Sequence, residues 1–374
     1  MNAVADELRE RVLPGHQGDF LPGTRILAGT LGVSVPTVCK ALHQLGAEGA
    51  LVGGGKRRRW RVADMQAPSS PTRRSGNAAL GGKKPRSRRL LFLSAKPLRG
   101  ERFSGVEIYA ALLDKLATSD WEVIYRVMDF WNTERPRRVW NEMLEFTMPD
   151  AIVAISGTET LGKWLVDKKI RTLFIGGTRG TSGVPAVFVS VSSMLGDAAG
   201  RLFAQGHRRL LFPLFGRAPA LVKGAADTAK QVTEAMGIPQ KCLVVTESKY
   251  SGPEVVINLL RAQWKKEPPD AVIFLDWREF VAAESFFNEA GVSIPRDLSV
   301  IVLSQNGTME WRQPAISHYE HPVNPMARAI AKWVLHGKAG LADKNDHEFP
   351  ARWVSRESVR PRAGAADPPQ TGAG

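Results

Sequence analysis

The alternation of apolar and polar positions divides the chain at about residue 90. Beyond it, short apolar runs alternate with segments whose apolar residues recur at helical spacing. The apolar runs predict strands at 90–93, 121–127, 151–155, 173–175, 187–191, 210–214, 243–246, 271–275 and 298–303. The segments between them predict helices, among them 106–117, 138–146, 225–236, 253–264 and 280–290. Repeated strand–helix units predict parallel sheets covered by helices on both faces, and roughly ten strands predict two such α/β lobes.

The first sixty residues follow a different pattern, which predicts three short helices and a hairpin. Apolar residues four apart give a first helix one buried face over Val4–Val12. Thr24 is a plausible cap for a second helix, and Ser34 for a third. The third helix has an apolar stripe, which consists of Val35, Val38, Leu42 and Leu45. A basic hairpin is predicted at 51–62, so we expect a small α+β domain at residues 1–63.

The charge is concentrated in the same part of the chain. The sequence has 51 Lys and Arg against 37 Asp and Glu, a formal net charge of +14. Residues 1–89 carry +10 of it, and residues 90–374 carry +4. The densest basic run is 56–61, and a second cluster at 83–89 lies in a stretch rich in Pro, Ser and Gly. We interpret 64–88 as a flexible basic linker, and the excess charge indicates nucleic acid as a partner, although a solvated surface explains the linker clusters equally well.

Several function classes are excluded or disfavoured by the sequence. No apolar run approaches the roughly 18 residues of a membrane span, and the first residues lack the apolar core of a secretory signal. Cys39 and Cys242 are too few for a disulfide framework, which favours a cytoplasmic location. No metal-ligand spacing or nucleophile motif is present, so we expect no metal, no cofactor and no enzyme activity. The glycine-rich stretch 176–183 lacks the spacing of a phosphate-binding loop, and we interpret it as a loop of a lobe.

The N-terminal pattern resembles the GntR-type winged helix-turn-helix DNA-binding domain. The matching residues are Leu21-Pro22-Gly23-Thr24-Arg25, Leu27-Ala28, Leu31-Gly32-Val33-Ser34, Pro36-Thr37-Val38, Ala41-Leu42, Leu45 and Ala47-Glu48-Gly49. The resemblance implies that residues 34–48 form a recognition helix in the major groove, with the hairpin as a wing along the backbone or minor groove. The family usually has arginines where this chain has Val35 and Cys39, so we expect fewer base contacts and relatively more phosphate binding.

The resemblance also implies which residues contact DNA. Ser34 and Thr37 would hydrogen-bond phosphate, and Lys40 would reach a base edge. Arg25 would contact phosphate or a base. The DNA-binding candidates are Arg25, Ser34, Pro36, Thr37, Lys40, Gln44, Lys56, Arg57, Arg58 and Arg59.

The long C-terminal region resembles the LacI/GalR-type effector domain. The matching motifs are Gly206-His207-Arg208-Arg209, Gly291-Val292-Ser293-Ile294-Pro295-Arg296-Asp297-Leu298-Ser299-Val300, Pro314-Ala315-Ile316-Ser317 and Arg356-Glu357-Ser358. The resemblance implies the periplasmic binding protein fold, in which two Rossmann-like lobes are joined by crossing strands and hold a small ligand in the cleft. We expect this sensor at 89–359, followed by a disordered tail at 360–374.

The ligand-binding positions of that family carry altered residues in this chain. An acid expected after the strand at 187–191 falls on Ser190, or on Ser192 if the register shifts, and an expected arginine falls on Ala225, with Lys223 the nearest cation. An expected Asn-Asp pair becomes Asp276-Trp277, and a further acid becomes Ser304. The ligand-binding candidates are therefore Ser190, Asp276, Trp277, Ser304 and Asn306.

Two interpretations of the altered pocket stay open. Either Trp277 stacks on a sugar face while the polar residues hydrogen-bond its hydroxyls, or the pocket has lost its ligand and Trp277 is a packing residue. Together the patterns predict a homodimeric transcriptional regulator that binds operator DNA and a small molecule, with a sugar as one candidate. The alternative is a dimeric DNA-binding protein with a degenerate sensor that has no effector.

Overall fold

The computed structural model of the chain describes residues 4–5, 8, 21, 23–24, 27–28, 33–48, 50–55, 58–62, 88–97, 103–128, 130, 136–178, 180–304, 306–337 and 346–362. The chain divides into two compact units, Met1–Lys83 and Lys84–Gly374. Of the linker predicted at 64–88, the described part is Arg88, which begins a strand instead. The rest of that prediction lies outside the described residues.

In the first unit, the predicted third helix and the hairpin are present. Helix α1 is Val35–Ala47, and strand β1 (Leu51–Gly55) pairs in antiparallel register with β2 (Arg58–Val62). Ser34 caps α1, because its Oγ accepts a hydrogen bond from the N–H of Thr37 at 3.3 Å. The buried side of α1 consists of Val38, Ala41, Leu42 and Leu45, with Val35 partly buried beside them. The predicted stripe is confirmed, whereas the two earlier predicted helices fall largely outside the described residues.

Trp60 packs the hairpin against α1 at a glycine. A Cβ on Gly46 would lie 2.4 and 2.6 Å from two carbons of the Trp60 ring, closer than real Cβ atoms come to other atoms. The indole also stands edge-on to His43, with the ring centroids 5.1 Å apart. The missing side chain at Gly46 therefore lets the Trp60 ring pack closely against α1.

The second unit contains two six-stranded sheets, each in its own lobe. The strands of the N-terminal lobe are β3 (Arg88–Ser94), β4 (Trp121–Val127), β5 (Ala151–Thr158), β6 (Arg171–Thr178), β7 (Ala186–Phe188) and β13 (Asp346–Glu348). Their order is β13-β7-β6-β5-β3-β4, all parallel. The strands of the C-terminal lobe are β8 (Leu210–Phe215), β9 (Leu243–Ser248), β10 (Ala271–Phe274), β11 (Ser299–Val302), β12 (Ser317–Glu320) and β14 (Arg352–Val354). Their order is β14-β12-β11-β10-β8-β9, and only β14 is antiparallel to its neighbour.

Helices cover both faces of each sheet, as the sequence predicts. The N-terminal lobe has α2 (Phe103–Leu116), α3 (Pro136–Thr147), α4 (Glu159–Asp167) and α9 (Val323–His336). The C-terminal lobe has α5 (Val191–Ala204), α6 (Pro219–Ala235), α7 (Pro253–Lys266) and α8 (Trp277–Glu289). In β3, Leu90 and Phe92 face the α2 and α9 side, while Leu91 and Leu93 face the α3 and α4 side. Such strands are apolar throughout because both of their faces are buried.

The chain crosses between the lobes three times. The crossings run from β7 to α5, from β12 to α9, and from β13 to β14. The first two leave from the carboxyl ends of parallel strands, so the carboxyl ends of the two sheets face each other across the crossings. The cleft between the lobes is therefore lined by strand ends and by the loops that follow them, where ligands bind in open α/β sheets.

Two boundaries differ from the sequence prediction. The strand predicted at 187–191 ends at Phe188, because Ser190 caps α5 by accepting a hydrogen bond from the N–H of Ser193 at 3.1 Å. The tail predicted at 360–374 is wrong for its first residues. The Arg360 N–H donates to Ser299 Oγ at 3.1 Å, and the Arg362 guanidinium donates to the carbonyl of Asp270 at 3.1 Å. The Ser299 hydroxyl at the start of β11 and the Asp270 carbonyl just before β10 therefore hold the chain through Arg362, and residues 363–374 lie outside the described part.

Ser358, from the last of the resembling motifs, is buried where three segments meet. Its Oγ donates to the Val300 carbonyl at 2.7 Å and accepts from the Ser317 N–H at 2.8 Å. The hydroxyl thus joins the C-terminal segment to β11 and β12. Within the described parts of the chain, no helix is long and apolar enough to cross a membrane.

Candidate functional site

The exposed side of α1 carries polar residues at its amino-terminal end. Ser34, Pro36 and Lys40 are exposed and Thr37 is half-buried. The hydroxyls of Ser34 and Thr37 lie 2.7 Å apart, and Gln44 Nε2 donates to Glu48 Oε1 at 3.0 Å. The side chains of the remaining DNA-binding candidates lie outside the described residues, and these are Arg25, Lys56, Arg57, Arg58 and Arg59.

This arrangement leaves donors on the side of α1 away from its core. Lys40 lies six residues after the cap Ser34, and its side chain is exposed. Hydroxyl and ammonium donors at the start of a helix suit phosphate oxygens and base edges. The first unit, Met1–Lys83, which we call the head, therefore presents a small group of hydrogen-bond donors on the exposed side of α1.

On the C-terminal-lobe side of the cleft, Asp276 is buried, and both of its carboxylate oxygens accept hydrogen bonds from Arg278. It follows β10 and caps α8, where its Oδ1 accepts from the N–H of Arg278 at 3.0 Å. The Arg278 guanidinium donates to both carboxylate oxygens, at 3.1 and 3.0 Å. The Asp276 side chain is only 3% exposed. Its charge is therefore already balanced within the chain.

Trp277 and Ser304 lie together beside Asp276. The Trp277 N–H donates to Ser304 Oγ at 3.2 Å, which joins the segments that follow β10 and β11. The Trp277 side chain is half-buried and packs on the core of the C-terminal lobe, while Ser304 is 5% exposed. Asn306 is half-buried two residues farther along. Of the sequence candidates, Asp276, Trp277 and Ser304 are thus adjacent, whereas Ser190 lies on the first crossing.

A second ion pair of this wall was not predicted from the sequence. Arg217, just after β8, pairs with Glu279 in the first turn of α8. The other oxygen of Glu279 accepts the N–H of Asp276 at 3.1 Å, which completes a capping box. The Asp-x-x-Glu spacing at 276–279 is a sequence signal for this cap, whereas the pairing with Arg217 depends on the order of β8 and β10 in the sheet.

On the N-terminal-lobe side, Glu159 holds part of the glycine-rich stretch. Its Oε1 accepts from the N–H and hydroxyl of Thr181 at 3.1 and 2.8 Å, and Lys163 Nζ lies 2.7 Å away. These contacts, chiefly the one with Lys163, lower the pKa of Glu159 to about 2. Residues 176–178 belong to β6, where Gly177 has φ +94° and lies against the backbone of Gly157. The loop interpretation therefore applies only to the later part of the stretch.

Side chains of the crossings are linked to one another. The Ser193 hydroxyl, at the start of α5, donates to Glu348 Oε1 on β13 at 3.0 Å. Arg352 on β14 pairs with Glu320 on β12. His321, in the second crossing, lies 3.0 Å through its Nε2 from the carbonyl oxygen of Leu303. The three crossings thus form one connected region between the lobes.

A cluster behind the crossings fixes α5 against β12. The Tyr319 hydroxyl donates to Asp197 Oδ2 at 2.5 Å, and Arg201 Nε donates to the same oxygen at 2.7 Å. Burial, followed by the contact with Asp197, raises the pKa of the Tyr319 phenol. The guanidinium of Arg201 also lies over the Trp353 ring, 5.0 Å from its centroid. These contacts thus hold α5, β12 and β14 of the C-terminal lobe together next to the crossings.

A hollow of about 280 Å³ lies away from the ligand-binding candidates. Its lining, on or immediately beside α3 and α4, is Arg137, Trp140, Glu159, Thr160, Lys163, Trp164 and Asp167. Within the described residues, no group of three or more His, Cys, Asp or Glu side chains is arranged to hold a metal ion.

Comparison with known proteins identifies the fold of the second unit. The model of the periplasmic binding protein-like domain family matches residues 199–359. No curated protein sequence matched the chain. The chain is similar to a LacI family transcriptional regulator from Enterococcus faecium with bound ribose, at 16% identity and a TM-score of 0.60, over 73% of this chain and 99% of that one.

Two further solved structures have the same fold. One is a LacI family transcriptional regulator from Weissella paramesenteroides with bound glucose, at 13% identity and a TM-score of 0.62, over 73% of this chain and 99% of that one. The other is the lac repressor dimer bound to operator and an anti-inducer, at 12% identity and a TM-score of 0.61, over 72% and 94%. The two-lobed periplasmic binding protein-like fold is thereby confirmed.

Proposed function

We propose that this protein is a DNA-binding transcriptional regulator whose two-lobed domain senses a small molecule. In this proposal a GntR-type winged helix at residues 1–63 binds operator DNA, and 64–88 is the linker. Residues 89–359 hold the effector, for which a sugar is the leading class, and the active form is a homodimer. Effector binding changes the angle between the lobes, which alters the geometry of the two DNA-binding heads.

The observation that carries the proposal is the cleft between the carboxyl ends of two parallel sheets. That cleft is the ligand position of open α/β sheets, and regulators of the same fold hold ribose and glucose. The resemblance supports the class of ligand, and the polar residues after β10 and β11 support hydrogen bonding to it.

DNA binding is supported by the positive charge of residues 1–89 and by the polar groups on the exposed side of α1. Residues 1–89 carry a net charge of +10, and the side of α1 opposite its apolar stripe carries Lys40 with the Ser34 and Thr37 hydroxyls. A single head of this size reads a short half-site, so two linked heads gain affinity from their effective concentration. The operator-bound lac repressor of the same fold is a dimer, which supports this arrangement.

The DNA assignment is tested by selection of binding sites from a random pool. Full-length protein should enrich one sequence family and bind it at least about 1,000-fold more tightly than random DNA at physiological salt. A protein that begins at Leu90 should lose this selectivity. If the shortened protein enriches the same family, the head is not the DNA reader.

A second candidate function has an observation in its favour. Arg278 already neutralises Asp276, and Trp277 packs on the core of the C-terminal lobe. These contacts suit a sensor domain that has lost its effector and serves only to dimerise the heads. Calorimetry and thermal shift with sugars and nucleobases separate the two functions. Binding that Trp277→Ala removes supports sensing, and the absence of any response across the panel favours the second function.

A further inference from the structure

The second crossing between the lobes runs from β12 to α9. It consists of His321 and Pro322, the two residues between the end of β12 and the start of α9, and it is one of the three segments that join the lobes. The carbonyl of His321 accepts the N–H of Val323 at 2.8 Å, and that of Pro322 accepts the N–H of Met326 at 3.0 Å. The start of α9 in the N-terminal lobe is thus fixed directly onto this segment.

The side chain of His321 reaches the opposite lobe. Its Nε2 is 3.0 Å from the Leu303 carbonyl, and a carbonyl oxygen can only accept, so Nε2 carries the hydrogen and donates. Leu303 is fully buried, and its own N–H donates to the Phe274 carbonyl at 2.8 Å. The imidazole is therefore bonded to the rigid end of the sheet in the C-terminal lobe.

The bonded strand end is also the one that carries the candidate ligand residues. Ser304 directly follows Leu303, and its Oγ accepts the N–H of Trp277 at the start of α8. Leu303 therefore accepts the hydrogen bond from His321 in the crossing, and the next residue, Ser304, accepts the one from Trp277 in the cleft wall. A displacement of this segment on ligand entry would move the acceptor of the His321 hydrogen bond.

We propose that His321 is the positioning residue that couples the cleft wall to the angle between the lobes. The proposal rests on the proposed sensing function, because it names the contact through which the cleft would act on the crossing. With the Nε2–H bond intact, the second crossing holds one geometry. Without it, the crossing keeps its backbone bonds to α9 but loses its bond to the Leu303–Ser304 segment, so the lobes sample a wider range of angles.

The test measures the distance between two spin labels, one on each lobe, by pulsed electron–electron double resonance in the absence of ligand. Spin labels are placed on the full chain through Lys168→Cys and Lys230→Cys, in a Cys39→Ser and Cys242→Ala background. Both label sites are exposed and lie toward the helix ends remote from the cleft. His321→Ala should broaden or shift the distance distribution, and His321→Gln, which keeps an N–H donor, should restore it. His336→Ala, at the exposed end of α9, is the matched control and should match the wild type.

Hydrogen exchange provides a second, independent measurement. Loss of one hydrogen bond of typical strength should accelerate exchange of the Leu303 and Trp277 amides about five-fold in His321→Ala. An unchanged distance distribution in a folded His321→Ala variant would overturn the proposal, as would equal broadening in the Gln variant. Failure of sugars to bind the wild type would instead contradict the sensing function, because neither measurement on His321 uses a ligand.

Discussion

The head and the C-terminal lobe use their polar residues in opposite ways. In the head, Lys40 and Ser34 lie on the exposed side of α1, and the buried side of this helix is an apolar stripe. In the C-terminal lobe, Asp276 is 3% exposed and is bonded to Arg278 and to its own helix. An exposed donor costs little to keep and is available to a partner, whereas a buried carboxylate must be satisfied within the fold. The polar groups of α1 are thus exposed to solvent, whereas the carboxylate in the cleft wall is already paired with Arg278.

The largest expected effect on DNA binding comes from removing a donor on the exposed side of the head. Lys40→Ala should weaken binding of the selected operator about 5- to 150-fold, because a lost base or phosphate contact costs about 1–3 kcal/mol. Fluorescence anisotropy at fixed salt measures the affinity. Lys230→Ala, an exposed helical lysine of α6, is the matched control and should bind as the wild type does. Equal affinity of the Lys40→Ala variant would remove α1 from the interface.

The next effect tests whether the cleft wall is structural. Asp276→Ala removes a helix cap and the partner of Arg278, so the free energy of unfolding should fall by about 2–3 kcal/mol. Urea denaturation followed by circular dichroism measures it. Asp227→Ala, on the exposed side of α6, should change stability by less than about 0.5 kcal/mol. If both variants are equally stable, the contacts of Asp276 do not stabilise the fold and the contrast with the head disappears.

Much of this architecture could be predicted, and the failures have identifiable causes. Apolar runs such as Leu90–Leu93 predict buried parallel strands because period and burial agree along the sequence. The end of β7 was misplaced, since Ser190 reads equally as a strand residue and as a helix cap. The Arg278 and Arg217 pairs were missed because one depends on the cap geometry of α8 and the other on sheet order. Local pattern predicts elements well, whereas the partners of a charge depend on the fold.

A smaller effect tests the internal packing of the head. Gly46→Ala would place a methyl group within 2.6 Å of the Trp60 ring, so the hairpin must shift. Overpacking of this kind should lower the stability of the head by about 1–2 kcal/mol and weaken operator binding through the displaced wing. The control is Gly200→Ala within α5, where a Cβ meets no atom within 4 Å. That variant should gain about 0.5–1 kcal/mol. Thermal unfolding distinguishes the two, and equal behaviour would contradict the packing at Trp60.

The smallest effect concerns the N-terminal-lobe side of the cleft. The pKa of Glu159 is about 2 in the folded chain, below its ordinary 4.5. A lowered pKa means that the contribution to stability is present above about pH 4.5 and is lost as the pH falls toward 2. The difference in melting temperature between wild type and Glu159→Gln should therefore shrink across that window. A difference that stays constant with pH would mean that the contacts with Lys163 and Thr181 contribute nothing through the charge.

One measurement tests most directly whether a ligand of the two-lobed domain changes DNA binding by the head. It is the dissociation constant of full-length protein for its selected operator, measured at constant salt with and without ribose, glucose and the other sugars of the panel. We predict selective binding that at least one sugar changes by about five-fold or more, the lower end of usual coupling between sites. Selective binding that every sugar leaves unchanged would contradict the claim of a ligand-responsive regulator.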